Sequence, residues 1–226
     1  MKNPNSYRKW VDGEKRNVDA IVVHHISAIF WNDERFQQTH RAKIDAFVAS
    51  LDQTIDFSSP NDYKFDWRFC KQILELYGFS AHYLIDRDGV IRQLVRDNDV
   101  AFHAGGSVMP NSEKTDVNDF SIGIELIASH PTDDRTVTRE NAYTQEQYES
   151  LNTLLKSLMF KHEVKLNNII GHEDIAGKRA VDLGLRTSAK KDPGPFFDWA
   201  GVKERLDADI NNLHSPSYKS LGTGME

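Results

Sequence analysis

The apolar positions of this chain fall into two periods. Residues 20–23, Ala-Ile-Val-Val, form a short β-branched run that ends on His24 and His25 and reads as a buried strand. Residues 120–127 alternate, with Ile122, Ile124 and Leu126 on one face and Ser121, Gly123 and Glu125 on the other. Residues 80–85 and 90–95 flank Asp86-Arg87-Asp88-Gly89, a hairpin signal, and residues 168–170 form a short strand that leads into Gly171-His172. Helical spacing appears between these runs. Phe36, Ile44, Phe47, Val48 and Leu51 predict a helix over 33–51, and residues 67–77 predict a second that Gly78 ends. Thr144 and Gln147 make a capping box before an amphipathic helix carrying Tyr148, Leu151, Leu154, Leu155, Leu158 and Met159. A last helix is expected over 198–213.

Strands interleaved with helices predict an α/β fold: a single domain with a central mixed β-sheet flanked by helices, and a helical insertion after the first strand at about 28–78. Residues 1–18 read as a polar N-terminal arm, 19–213 as the domain, and 214–226 as a flexible Ser/Gly-rich tail. The cluster at 58–62 reads as a loop. Trp31, Trp67 and Trp199 read as packing residues.

Composition narrows the possible partners. The 226 residues are 39% hydrophobic and 27% charged, ordinary for a globular chain, and the formal net charge of −6 argues against a nucleic-acid partner. The single cysteine, Cys70, excludes an intrachain disulfide and a Cys-rich metal site. The sequence has no secretory h-region and no apolar run of membrane-spanning length. The expectation is a cytoplasmic, monomeric protein without membrane association, with release by a phage lysis route left open.

Three positions stand out chemically. His24 and His172 each end an apolar strand, where a side chain can face a cleft. Asp192 lies in the rigid stretch Asp192-Pro193-Gly194-Pro195. Two imidazoles and a carboxylate form a common catalytic zinc set. Spacing alone is weak support for it, and on spacing alone Glu125 reads first as an ion-pair partner at a sheet edge.

The blocks VVHHIS, SAHYLIDRDGVIRQLV, AFHAGGS, NDFSIGIELIA, YTQEQYESL, IIGHEDIA and KKDPGPFFDW resemble, in order, those of the N-acetylmuramoyl-L-alanine amidase family, closest to its muropeptide-recycling branch. The resemblance covers about residues 19–199. It implies Zn2+ bound by His24, His172 and Asp192, with Glu125 as general base and Lys190 as the catalytic lysine. His24 is the first histidine of its block, and strand alternation lets only one of His24 and His25 face the metal. Lys190 is preferred over Lys191 because it lies two positions before the last ligand. His103 and His82, in matched blocks, are expected to line the cleft and are candidate substrate contacts; His103 is the better of the two, and a structural hydrogen bond is its alternative role. His25 reads as a packing or supporting residue, whereas His40, His130, His162 and His214 read as solvated.

The implied reaction is hydrolysis of the amide between the lactyl group of N-acetylmuramic acid and L-alanine, in peptidoglycan fragments or cell-wall peptidoglycan. The alternatives are a non-catalytic wall-binding module and a zinc peptidase acting elsewhere on the stem peptide. Two stretches exceed the compact family pattern: the one between His24 and Ser80, and residues 177–189. The second carries Lys178, Arg179 and Arg186 against Asp182, either to hold a stem-peptide carboxylate or as a solvated connector.

Overall fold

The β-branched run after residue 19 becomes the middle of a sheet. A computed structural model describes residues 7–10, 14–29, 33–51, 59 and 63–213. In chain order these form β1 (Tyr7–Arg8), β2 (Ala20–Ile26), α1 (Glu34–Ala49), α2 (Trp67–Tyr77), β3 (Tyr83–Ile85), β4 (Ile91–Gln93), β5 (Val100–Ala101), β6 (Ser121–Ile127), α3 (Arg139–Ala142), α4 (Gln145–His162), β7 (Ile169–Gly171), α5 (His172–Ala176), α6 (Lys178–Asp182) and α7 (Trp199–Leu213). The main sheet has the order β4-β3-β6-β2-β7. β2 runs parallel to β6 and β7, β3 is parallel to β6, and β4 returns antiparallel on β3.

Local chemistry sets the helix ends. Asp33 caps α1 by accepting the Phe36 N–H, and Asp66 caps α2 by accepting the Arg68 N–H. Gly78 stops α2 at φ 75°, a left-handed conformation that a Cβ would disfavour. Thr144 and Gln147 exchange hydrogen bonds at the start of α4, as the capping box predicts.

The period-2 pattern divides the sheet into two faces. Ile21, Val23, Ile122, Ile124, Leu126, Tyr83 and Ile85 point one way, where they pack with Leu151, Leu155 and Leu158 of α4 and Val202 and Leu206 of α7. The opposite face packs in two patches. Ile26, Leu84 and Ile127 meet α1 and α2 through Phe36, Ile44, Phe69 and Ile73. Val22 and Ile170 meet Ile175 and Ala176 of α5 together with Ala104, Val117 and Phe120. The inserted helices therefore supply a second core over one half of that face and leave a cleft beside it.

The lead-in to β2 is not a free arm. β1 pairs antiparallel with β5, and Arg16 is only 1% exposed. Burying a guanidinium requires partners for its N–H groups. Here they donate to the carbonyls of Asp97, Asn118 and Ser121 at 2.7–3.1 Å. Burial draws the Arg16 pKa down to about 10, against the pull of Asp97, so it stays charged at neutral pH. The sequence reading missed it because a lone arginine in a polar stretch looks solvated. Trp31, the loop cluster apart from Ser59, and the tail at 214–226 lie outside the described residues. Among the described residues, no helix is long and apolar enough to cross a membrane.

His162 is also drawn inside, contrary to expectation. Its Nε2 lies 3.1 Å from Asp97 Oδ2, which also accepts from Lys161, while Tyr83 donates to Oδ1. Burial opposes charge on Asp97, but the hydrogen bonds from Lys161, Tyr83 and His162 prevail and hold its pKa at about 2, against 3.8 for an ordinary aspartate. A folded-state pKa below the unfolded one adds stability above the unfolded value, and this is lost as pH falls toward 2. Asp97→Asn should therefore lower unfolding free energy at pH 7 by about 1–3 kcal/mol, the usual worth of hydrogen bonds to a charged group. Its denaturation midpoint should also fall less steeply than the parent's between pH 4 and 2; parallel pH profiles would contradict this account.

Candidate functional site

The parallel register of β2 and β6 pairs His24 with Glu125, so both side chains leave the same face of the sheet near its C-terminal end. Two positions earlier on that face, Val22 pairs with Gly123. β7 reaches the same edge on the other side of β2, and its last residue is followed by His172 as the first residue of α5. Asp192 arrives from the loop after α6. The Glu173 N–H donates to its carbonyl, and the following proline's carbonyl is held by the Tyr143 hydroxyl. Helix packing, strand register and a tethered proline loop thus bring together residues 168 positions apart.

His24 Nδ1 lies 3.2 Å and His172 Nδ1 3.0 Å from the same oxygen, Asp192 Oδ2. One donor atom from each residue falls within 4.8 Å of the others, and all three residues are buried. The outer ring nitrogens show that these inner atoms can be ligands. His172 Nε2 faces the Ala104 carbonyl at 3.3 Å, which can only accept, so the proton of the neutral ring is on Nε2 and Nδ1 carries a lone pair. His24 Nε2 is engaged by His103 Nδ1 at 3.0 Å. Two imidazole lone pairs and a carboxylate oxygen converging in a buried pocket fit a divalent cation.

The electrostatics agree. Burial pulls the His24 pKa down to about 4, and the neighbouring His172 lowers it further against the opposing pull of Asp192. Burial alone would raise the Asp192 carboxyl, yet the His172 and His24 contacts keep it well below the usual carboxylate range. His24 is therefore neutral beside an anionic carboxylate, the protonation states that metal ligands require.

Glu125 is 6% exposed, and its Oε2 has no hydrogen-bond partner among the described residues. Burial pushes its carboxyl well above the ordinary range, Asp192 adds to that, and Lys190 draws it back. A buried, unpaired carboxylate oxygen is costly in a purely structural role, which weighs against the ion-pair alternative. Lys190 also acts on His24, whereas the charge of Lys191 is felt by His130. The two lysines line the same cleft, but Lys190 is the one whose field reaches Glu125. The cleft encloses about 430 Å³ and includes His24, Glu125, His172, Asp192 and both lysines.

Other expected residues fall differently. His103 lines the cleft, but its ring turns inward to His24 and Ser121 and leaves no nitrogen for substrate. His82 is fully buried away from the cleft. Its Nδ1 accepts the Gly123 N–H, which places the proton on Nε2, donating to the Asp99 carbonyl. Expected as a substrate contact, it is instead a link between β6 and the segment after β4. His130, expected to be solvated, is buried at the cleft wall and stacks on His25. Of the basic residues in 177–189, Lys178 pairs with Asp182 and Arg179 with Glu113, and only Arg186 lines the cleft. Asn118 went unnoticed: its Oδ1 accepts the N–H groups of both His103 and Ala104. An asparagine ahead of a strand carries no signal that would have marked it.

The model of a family described as N-acetylmuramoyl-L-alanine amidase matches residues 14–195. The 1,6-anhydro-N-acetylmuramyl-L-alanine amidase AmpD of Haemophilus influenzae is 38% identical over 139 residues, covering 60% of this chain and 64% of that protein. AmpD of Citrobacter freundii is 41% identical over 121 residues, covering 54% of each. The chain thus spans less than two thirds of the length of either relative. A crystal structure of a selenomethionine AmpD derivative superposes with a TM-score of 0.54 at 33% identity, covering 90% of this chain and 89% of that one. With the family model spanning most of its length and the mixed sheet shared with a solved relative, the chain belongs to the N-acetylmuramoyl-L-alanine amidase family.

Proposed function

We propose that the chain is a zinc-dependent amidase that hydrolyses the bond between the lactyl carbonyl of N-acetylmuramic acid and L-alanine of the stem peptide. The observation that carries this reading is the set of three converging donor atoms, on His24, His172 and Asp192, beside the unpaired Oε2 of Glu125. The names of its relatives, both amidases of 1,6-anhydro-N-acetylmuramyl-L-alanine, favour a soluble muropeptide as substrate. A non-catalytic wall-binding module is the weaker reading, because such a module needs neither the full donor set nor a buried carboxylate next to it.

When bound by these three residues, zinc supplies Lewis-acid polarisation for the attack of water on a carbonyl. Glu125 takes the proton of the attacking water at its carboxylate and delivers it to the departing alanine nitrogen. The Lys190 ammonium compensates negative charge growing on the carbonyl oxygen, a contribution typically worth about 3–4 kcal/mol when a preorganised donor is removed. Helix α2, through Ile73 and Leu74, and the loop at 177–189, through Arg186 and Ala189, flank the cleft, and the Arg186 guanidinium would meet a stem-peptide carboxylate there.

Digestion of purified anhydro-muropeptide should yield free lactyl carboxyl groups together with new L-alanine amino termini, read by mass spectrometry. New termini at other peptide bonds alone would make the chain a stem peptidase. Turnover of the soluble muropeptide should exceed turnover of intact sacculi. Exhaustive chelation should abolish hydrolysis and stoichiometric zinc restore it; activity that survives the chelator would refute the metal reading. Lys190→Ala should reduce kcat by about 100-fold or more while Lys191→Ala stays within about tenfold of the parent. The reverse order would move the role to Lys191.

A further inference from the structure

The groups behind the metal-binding atoms form an ordered relay that the proposed reaction does not itself call for. His24 Nε2 meets His103 Nδ1 at 3.0 Å, and His103 Nε2 meets Ser121 Oγ at 3.3 Å. Ser121 Oγ in turn lies 2.6 Å from the Val117 carbonyl. A carbonyl only accepts, so this shortest contact places the hydroxyl proton toward Val117. The Ser121 oxygen then offers a lone pair to His103 Nε2–H. That leaves His103 Nδ1 as an acceptor for His24 Nε2–H, and His24 Nδ1 bare. The opposite polarity would strip Val117 of its donor and put a proton on His24 Nδ1, where a metal needs the lone pair.

The relay is built into the sheet. A Cβ at Gly123 would lie 2.4 Å from His103 Cγ, so the ring occupies the space that any side chain on that strand position would fill. The backbone on either side of the His103–Ala104 peptide is clamped, both N–H groups donating to Asn118 Oδ1 at 3.0 and 2.8 Å. The same pair of residues serves both histidines, since the Ala104 carbonyl receives His172 Nε2.

We propose that His103 is a positioning residue which, through Ser121 and the Val117 carbonyl, locks His24 in the tautomer that presents Nδ1 to the metal. It touches neither substrate nor metal and acts only through His24. The inference rests on the metal reading of that centre, and its test reads metal affinity rather than hydrolysis.

Zinc affinity of the full chain is measured by competition with a chromophoric chelator for the parent, His103→Ala, His103→Asn and Ser121→Ala, alongside thermal unfolding of each metal-free protein. His103→Ala is expected to weaken zinc binding by about 10–100-fold, the usual effect of removing a group that orients a ligand. His103→Asn, whose amide oxygen can take the place of Nδ1 as acceptor, is expected to recover most of that loss. Ser121→Ala frees the ring to reverse and should weaken binding several-fold with little change in metal-free melting. Zinc affinity within twofold of the parent in His103→Ala overturns the inference, as does an Asn variant no better than Ala. If His103→Ala does not fold, unchanged affinity in Ser121→Ala overturns it instead. A parent chain that binds no zinc defeats the metal reading itself, and this proposal with it.

Discussion

Two imidazole lone pairs and a carboxylate oxygen repel one another when they are brought together out of water, and the rest of this site follows from that constraint. The carboxylate of Asp192 cannot be buried against bare nitrogens without a compensating positive charge. Nor can the rings turn their protons inward to relieve it, because their outer nitrogens are committed to His103 and to the Ala104 carbonyl. A divalent cation held by the three residues would resolve this conflict. On the metal reading, the rigidity of the sheet holds the three groups in the arrangement that a divalent cation would fill.

The fold divides the labour by layer. One face of the sheet, packed against α4 and α7, is a conventional apolar core whose task is stability. The other face carries the chemistry, with a split core that leaves room for a cleft. Strand register fixes His24 against Glu125, and the end of β7 delivers His172. Support for this face comes from further away than the cleft suggests. Arg16 donates to the Asn118 carbonyl, while the side chain of Asn118 clamps the peptide whose two residues contact His24 and His172. A polar lead-in segment thus belongs mechanically to the centre.

Much of the fold was legible because each signal was local. The alternation over 121–127, the capping box at Thr144 and the stop at Gly78 each act within a few residues, so they survive translation into three dimensions. The donor trio was legible only through its resemblance to a family, since His24 and Asp192 are 168 positions apart and spacing says nothing about their approach. The histidines beyond the trio carry less signal in the sequence. The surroundings of His82, His103, His130 and His162 depend on partners distant in the chain: Gly123, His24, His25 and Asp97. Burial of a polar ring is decided by such partners and leaves no mark on the ring's own surroundings in sequence.

Gly123 shows how tightly these layers are joined. The position sits in the middle of a fully buried strand, where glycine weakens pairing and contributes no side chain to the core. The volume it vacates is the seat of the His103 ring. Positions 103 and 123 therefore share one allotment of space, and a change at either is tolerated only with a change at the other. Among relatives, a larger residue at the strand position should coincide with a smaller one in the loop, and such chains would need another partner for the histidine at the position of His24.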